Sequence, residues 1–168
     1  MMEEDLLHYY YQFHYEQHYF LCHDILEEAW KMQQSFSKGD AVVGLILLAT
    51  GCYHYRRGNF KGAHKSFKKA YQISIKHPQK TWEILGLNSE IYFEMLLQLI
   101  QDAGQQKPFY PVCLPLTANM MNTIQHHYPH FEVTQNVVQT PFILHHHQLR
   151  DRSEVIAARM AAYEKRRQ

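Results

Sequence analysis

The stretch HDILEEAW, residues 23–30, sets His23 and Glu27 four residues apart, so on a helix the imidazole and the carboxylate stand one above the other. Three chemistries fit that pair. As a structural network, Glu27 accepts from His23, His54 or Arg57 and fixes the register of two helices, because a carboxylate buried without partners is strongly destabilising. As a metal site, His23, Glu27 and His54 supply nitrogen and oxygen ligands that suit Zn, Fe or Mn, and helical bundles build such sites from facing helices. As a pocket, Arg57 pairs with a phosphate or carboxylate while Trp30 stacks on a small anionic ligand.

Catalysis needs more than this. The chain lacks a His-Glu-x-x-His zinc pattern, and Glu27 is not part of the Glu-x-x-His of di-iron bundles. His23 held by Glu27 resembles a base with its orienting group, yet no motif places a Ser or Cys nucleophile beside it. Cys22 adjoins His23 in sequence and therefore points about 100° away, into the core. The segment GNFKG lacks the glycine spacing of a phosphate loop. The candidate site is thus His23, Glu27, Trp30, His54 and Arg57, bordered by Asn59.

Those residues sit on elements that the hydrophobic periodicity predicts. Residues 3–14 carry Leu6, Leu7, Tyr10, Tyr11 and His14 at helical spacing. A second helix runs from about Gln17 to Gln33, its apolar arc made of Tyr19, Cys22, Ile25, Leu26, Ala29 and Trp30. His23 lies at the edge of that arc and Glu27 just beyond it, with Asp24, Glu28 and Lys31 on the wetter side. Gly39 breaks the pattern and Asp40 is positioned to cap a third helix, AVVGLILLATGCYHYRR, which is apolar nearly all round and hence central. On that helix Leu47, Thr50, His54 and Arg57 share a face, and antiparallel packing on the second helix would bring His54 and Arg57 to His23 and Glu27.

Gly44 and Gly51 lie seven residues apart on the third helix, a cost that close approach of a neighbour would offset. Gly58 takes the left-handed conformation that ends it and Asn59 caps a fourth helix that buries Ala63, Phe67, Ala70 and Tyr71 and stops before Pro78. A fifth helix spans NSEIYFEMLLQLIQDAG, capped by Asn88 and stopped by Gly104. Pro108, Pro111 and Pro115 keep the segment near 105–116 irregular. Thr117 caps a short helix to about His127, residues 129–144 read as irregular, and a last helix occupies 151–167 with a capping-box-like Asp151 and Glu154.

Gly51, Gly58, Ala63, Phe67 and Ala70 fall at the offsets of a tetratricopeptide repeat, with no second copy near a period of about 34 residues, so a single hairpin is expected within a bundle. Read together, YFLCHDILEEAW and YHYRRGNFKGA resemble a bacterial family catalogued as domain of unknown function 309, whose members look like YFEAHEVLEEYW followed by YHLRRGNLKGA. The likeness covers residues 7–76, and HHHQLRDRSEVI is similar to a C-terminal segment of closer members. Asp24 stands where that family usually has Glu, Leu21 where Glu is frequent, and His14 where Asn is frequent. The resemblance implies an all-helical fold and no assigned reaction.

Bulk properties agree with a soluble domain. The 168 residues carry 17 basic and 16 acidic side chains and are 46% hydrophobic and 14% aromatic. That length suits one core spanning residues 1–168, and the charge balance gives no global reason to expect nucleic acid or a membrane as partner. Three unclustered cysteines, Cys22, Cys52 and Cys113, read as reduced thiols in apolar settings, as in a cytoplasmic protein, and the acidic start lacks a signal-peptide pattern. His145 to His147 read as a solvated run. Lys61, Lys65, Lys68, Lys69 and Lys76 read as a solvent face, and the tyrosines from Tyr9 to Tyr19 as packing with hydroxyls at the surface.

The expectation is therefore an all-α bundle of six or seven helices. Its function is expected to be non-catalytic, a polar groove binding a protein partner or a small anionic ligand without a cofactor. The alternative is a divalent-metal hydrolase using His23, Glu27 and His54.

Overall fold

The computed structural model describes residues 2–133. Seven α-helices follow one another: α1 (Met2–Tyr11), α2 (Tyr19–Lys31), α3 (Ala41–Arg56), α4 (Phe60–Ser74), α5 (Gln79–Ile84), α6 (Ser89–Gly104) and α7 (Ala118–His127), with a π-helical turn at Gln12–Glu16. Extended pairing among the described residues is limited to one bridge between Leu87 and Leu116. The all-α expectation holds. The predicted helix at 151–167, the histidine run 145–147 and most of segment 129–144 lie outside the described residues.

α3 is the axis. Leu45, Leu48, Ala49 and Cys52 are fully buried, and α2 and α4 pack against it from different sides. Contacts between Phe20 and Tyr53, and between Trp30 and Asp40, show that α2 runs antiparallel to α3. α4 returns antiparallel as well, because a Cβ at Gly51 would stand 2.5 Å from the Phe67 ring and one at Gly44 would collide with the Ser74 hydroxyl. The two glycines are thus where α4 approaches, as their spacing implied. The α3–α4 pair is a helical hairpin whose likeness to a tetratricopeptide repeat rests on residue spacing alone. α6 covers α4.

The turns obey their caps, with instructive exceptions. Asn59 accepts from the Gly62 amide at 3.0 Å, Asn88 from Ile91 at 3.1 Å and Thr117 from Met120 at 3.2 Å. Gly58 has φ +81° with open space around it, so only its backbone conformation requires glycine. Asp40 stands at the start of α3 without capping it by its side chain. Its carboxylate accepts from the Trp30 indole at 3.0 Å and from the Ser37 amide at 2.8 Å instead, tying the connection to the end of α2. α6 ends at Gly104 as expected, though the left-handed residue that follows is Gln106 rather than the glycine. α5 escaped the periodicity because only six residues form it, yet it delivers the fully buried Trp82. Cys113 is exposed, unlike Cys22 and Cys52.

The first two helices are separated by a break the periodicity did not show. α1 widens into the π turn, Gln17 takes φ +54°, and α2 begins two residues later. Arg56, not Arg57, is the buried arginine: its Nη1 donates to the Gln17 carbonyl at 2.6 Å and its guanidinium lies 4.6 Å from the Tyr19 ring centroid. His14 is buried beside the break, its Nδ1 2.9 Å from the Tyr10 carbonyl and its Nε2 3.0 Å from the Leu114 amide. A carbonyl needs a donor and an amide an acceptor, so the proton sits on Nδ1. The hydroxyls of Tyr9 and Tyr10 are also inside rather than at the surface, donating to the carbonyls of Leu45 and Leu85, both at 2.7 Å.

Burial lowers the pKa of His14 from 6.5 to about 4. Between those values the unfolded chain binds the proton and the folded one does not, so stability falls as pH drops through that window. The loss reaches at most about 3 kcal/mol at the acid end. His14→Gln keeps a donor and an acceptor without titrating, so its urea midpoint is expected to fall less than that of wild type between pH 7 and pH 4.5; equal falls would remove His14 as the source. Gly58→Val is expected to cost about 1–3 kcal/mol, against about 0.5 kcal/mol or less for Lys61→Val, since only the former forces a β-branched residue to positive φ. Equal denaturation midpoints would refute that assignment.

Candidate functional site

The α2 helix supplies the polar group at the centre of the site. Because side chains at i and i+4 stack, His23 Nε2 lies 3.0 Å from Glu27 Oε2, and because Asp24 follows directly, His23 Nδ1 lies 3.2 Å from Asp24 Oδ1. Lys31, one turn further on, reaches Glu27 Oε1 at 2.6 Å. The result is a chain, Asp24–His23–Glu27–Lys31, in which the imidazole bridges two carboxylates. Hydrogen bonding by His23, aided by Lys31, holds the Glu27 carboxyl down at about 2 against the opposing effect of burial. His23 and Glu27 keep 19% and 17% of their side chains exposed, so the pair stands at the rim of the α2–α3 seam rather than beneath it.

Asp24 is a correction. The helical wheel turned it to the wetter side, but the residue is buried, at 9% exposure. The Trp30 indole N–H is held by Asp40 and its ring meets Phe36 edge-on at 5.1 Å, which pins the α2–α3 connection. His54 packs against Tyr53, and its Nδ1 lies 3.2 Å from the Asn59 amide nitrogen. Arg57 donates to the Tyr53 hydroxyl at 2.8 Å and lies 5.1 Å from that ring's centroid. The structure therefore brings His23 and Glu27 together and groups His54 with Asn59 at the far end of α3. Phe20 links the two ends through rings, 5.3 Å from His23 and 5.0 Å from Tyr53.

For a metal, the ligand set changes accordingly. Among the described residues, the His, Cys, Asp and Glu group whose ligand atoms lie within 4.8 Å of one another is His23, Asp24 and Glu27; His54 is not in it. One nitrogen and two carboxylates suit a hard or borderline divalent cation. Nucleophilic chemistry has no support here. Cys22 faces away, its thiol 3.4 Å from the Tyr9 carbonyl, and burial pushes its pKa well above the ordinary thiol value, as it does for Cys52. Two cavities among the described residues lie elsewhere, one between Gln79, Asn88, Glu90 and Thr117, the other between Met2, Ser35, Val42 and Ile84.

The stretch that carries this geometry also carries the likeness to known proteins. Residues 6–66, from α1 into α4, match the family described as Domain of unknown function (DUF309). The whole chain is similar to the Uncharacterized protein YpuF of Bacillus subtilis (strain 168), at 28% identity over 160 residues that span 93% of this chain and 91% of the relative. No solved structure matches the chain. All six candidate site residues fall inside the DUF309 segment, and neither name assigns it a reaction. Among the described residues, no helix is long and apolar enough to cross a membrane.

Sequence reasoning missed Arg56 and Asp24. For Arg56 a signal existed: it continues the series Leu45, Ala49, Cys52 at spacings of four and three, the buried stripe of α3. For Asp24 none did, because its own helix turns it about 200° from Cys22 and only tertiary packing covers it. Removing the bridging carboxylate with Glu27→Ala is expected to cost about 1 kcal/mol in a urea melt at pH 7, since its partners are charge-assisted but partly hydrated. Lys31→Ala is expected to cost less than half as much. The carboxylate's share is present above pH 4.5 and lost as pH falls toward 2, where the two proteins should converge. An unchanged midpoint in Glu27→Ala at pH 7 would show that the bridge does not hold the fold.

Proposed function

We propose that this chain is a non-catalytic, cytoplasmic helical domain that recognises a protein partner, with the rim of α2 as its recognition ridge. The observation that carries this reading is the chain Asp24–His23–Glu27–Lys31, whose side chains are fixed by one another before any partner arrives. Donors and acceptors held in this way lose little freedom on binding, which favours specific association. The ridge bears two carboxylates, and Arg57 is engaged with Tyr53, so the reading favours a partner with basic or donor groups over a small anion. Buried free thiols at Cys22 and Cys52 suit a reducing compartment.

A second reading keeps one specific observation in its favour, the closeness of the His23, Asp24 and Glu27 ligand atoms, and makes the domain a divalent-metal hydrolase. Elemental analysis of tag-free wild type and Glu27→Ala, with melting followed on addition of Zn²⁺ or Mn²⁺, separates the two. Recognition without a metal predicts no stoichiometric metal and the same melting response in both proteins. It also predicts that a photocrosslinker at the exposed Glu28 yields a discrete protein adduct that weakens in Glu27→Ala. Stoichiometric metal lost in Glu27→Ala would establish the hydrolase reading in its place.

A further inference from the structure

The charges of this nearly neutral chain are sorted along it. Residues 1–40 hold eight Asp or Glu against two Lys, whereas residues 41–82 hold eight Lys or Arg and no Asp or Glu at all. Arg56 is buried and Arg57 is engaged with Tyr53, but Lys61, Lys65, Lys68, Lys69, Lys76 and Lys80 are all exposed. On α4 the first four fall within an arc of about 100°, directly opposite the buried Ala63, Phe67 and Ala70, and Lys76 follows just past its end. Among the described residues the four ion pairs involve none of these lysines.

A merely solvated helix face usually interleaves signs at i, i+4, which stabilises it. This one does the reverse. Lys61 with Lys65, Lys65 with Lys69, and Lys65 with Lys68 are like-charged neighbours, and the first turn of α4 has no acidic residue to meet the positive end of its dipole. The i, i+3 and i, i+4 pairs among these lysines are therefore unfavourable until an anion lies on the face.

We propose that the outer face of α4 is a second interaction surface, separate from the α2 ridge, and that its partner is an acidic polypeptide segment. The chemistry favours a polypeptide over the other polyanions. The face is all lysine, without the arginine forks or interleaved aromatic rings that phosphate and base recognition use.

The test is fluorescence anisotropy of a labelled glutamate-rich peptide with the full chain, at low and at physiological salt. A duplex DNA of equal charge and phosphatidylserine vesicles serve as competitors. Lys65→Gln/Lys68→Gln is expected to weaken peptide binding about tenfold, as two lost charge contacts would. The control Lys38→Gln/Lys107→Gln removes the same charge elsewhere and is expected to leave binding unchanged, and both pairs are exposed, so folding is retained. Equal weakening by the two pairs, no peptide binding at low salt, or stronger competition by DNA or vesicles than by unlabelled peptide would overturn the proposal.

Discussion

The close approach of α4 to α3 is the constraint from which the rest of the molecule follows. α3 has no polar face to give to water, so it must be covered on every side. Gly44 and Gly51 allow α4 to lie against it with Ser74 and Phe67 where two side chains would otherwise stand. α6 then covers α4, α2 takes another flank, and α1 reaches α3 through the Tyr9 hydroxyl. An added methyl at Gly51 would meet an aromatic ring on all its near contacts, so this seam is less tolerant than the open turn at Gly58.

Covering α3 so fully forces polar groups inward, and several of them find backbone partners. Arg56 leaves the apolar stripe of α3 at the point where α1 breaks into α2, and it uses the Gln17 carbonyl that the break exposes. His14 accepts from the Leu114 amide of the Pro-rich segment, and Tyr10 donates to the Leu85 carbonyl at the end of α5. Buried side chains paired with backbone groups outside regular helices fix where irregular chain must run. The π turn, the left-handed Gln17 and the segment around Leu114 are thus held by helix side chains rather than by secondary structure of their own.

This division explains what was legible in the sequence. The helices whose apolar stripes are long, α2, α3, α4 and α6, could be read from periodicity, and Asn59, Asn88 and Thr117 could be read as caps because capping is local. The break at 12–17 could not, since a π turn keeps a helical hydrophobic spacing and the stabilising partner, Arg56, lies 39 residues away. Asp40 was a sound cap by type and position, yet tertiary structure offered it the Trp30 indole. In the site, the His23–Glu27 pair was legible because it is made within one helix. The neighbours of His54 and Arg57 were not legible, because antiparallel packing sets Tyr53 beside Phe20, about a turn from His23, with His54 against Asn59 and Arg57 against Tyr53.

That local origin also bears on what the site can be. Asp24, His23 and Glu27 come from a single stretch of α2, so their ligand atoms approach any shared point from one side. A caged metal needs donors from around it, which helical bundles achieve with residues from facing helices. Here the facing helix, α3, offers Tyr53 and Thr50; the Thr50 hydroxyl donates to the Ile46 carbonyl and the Tyr53 hydroxyl accepts from Arg57. The set His23, Asp24 and Glu27 is thus assembled by the order of residues along α2 alone.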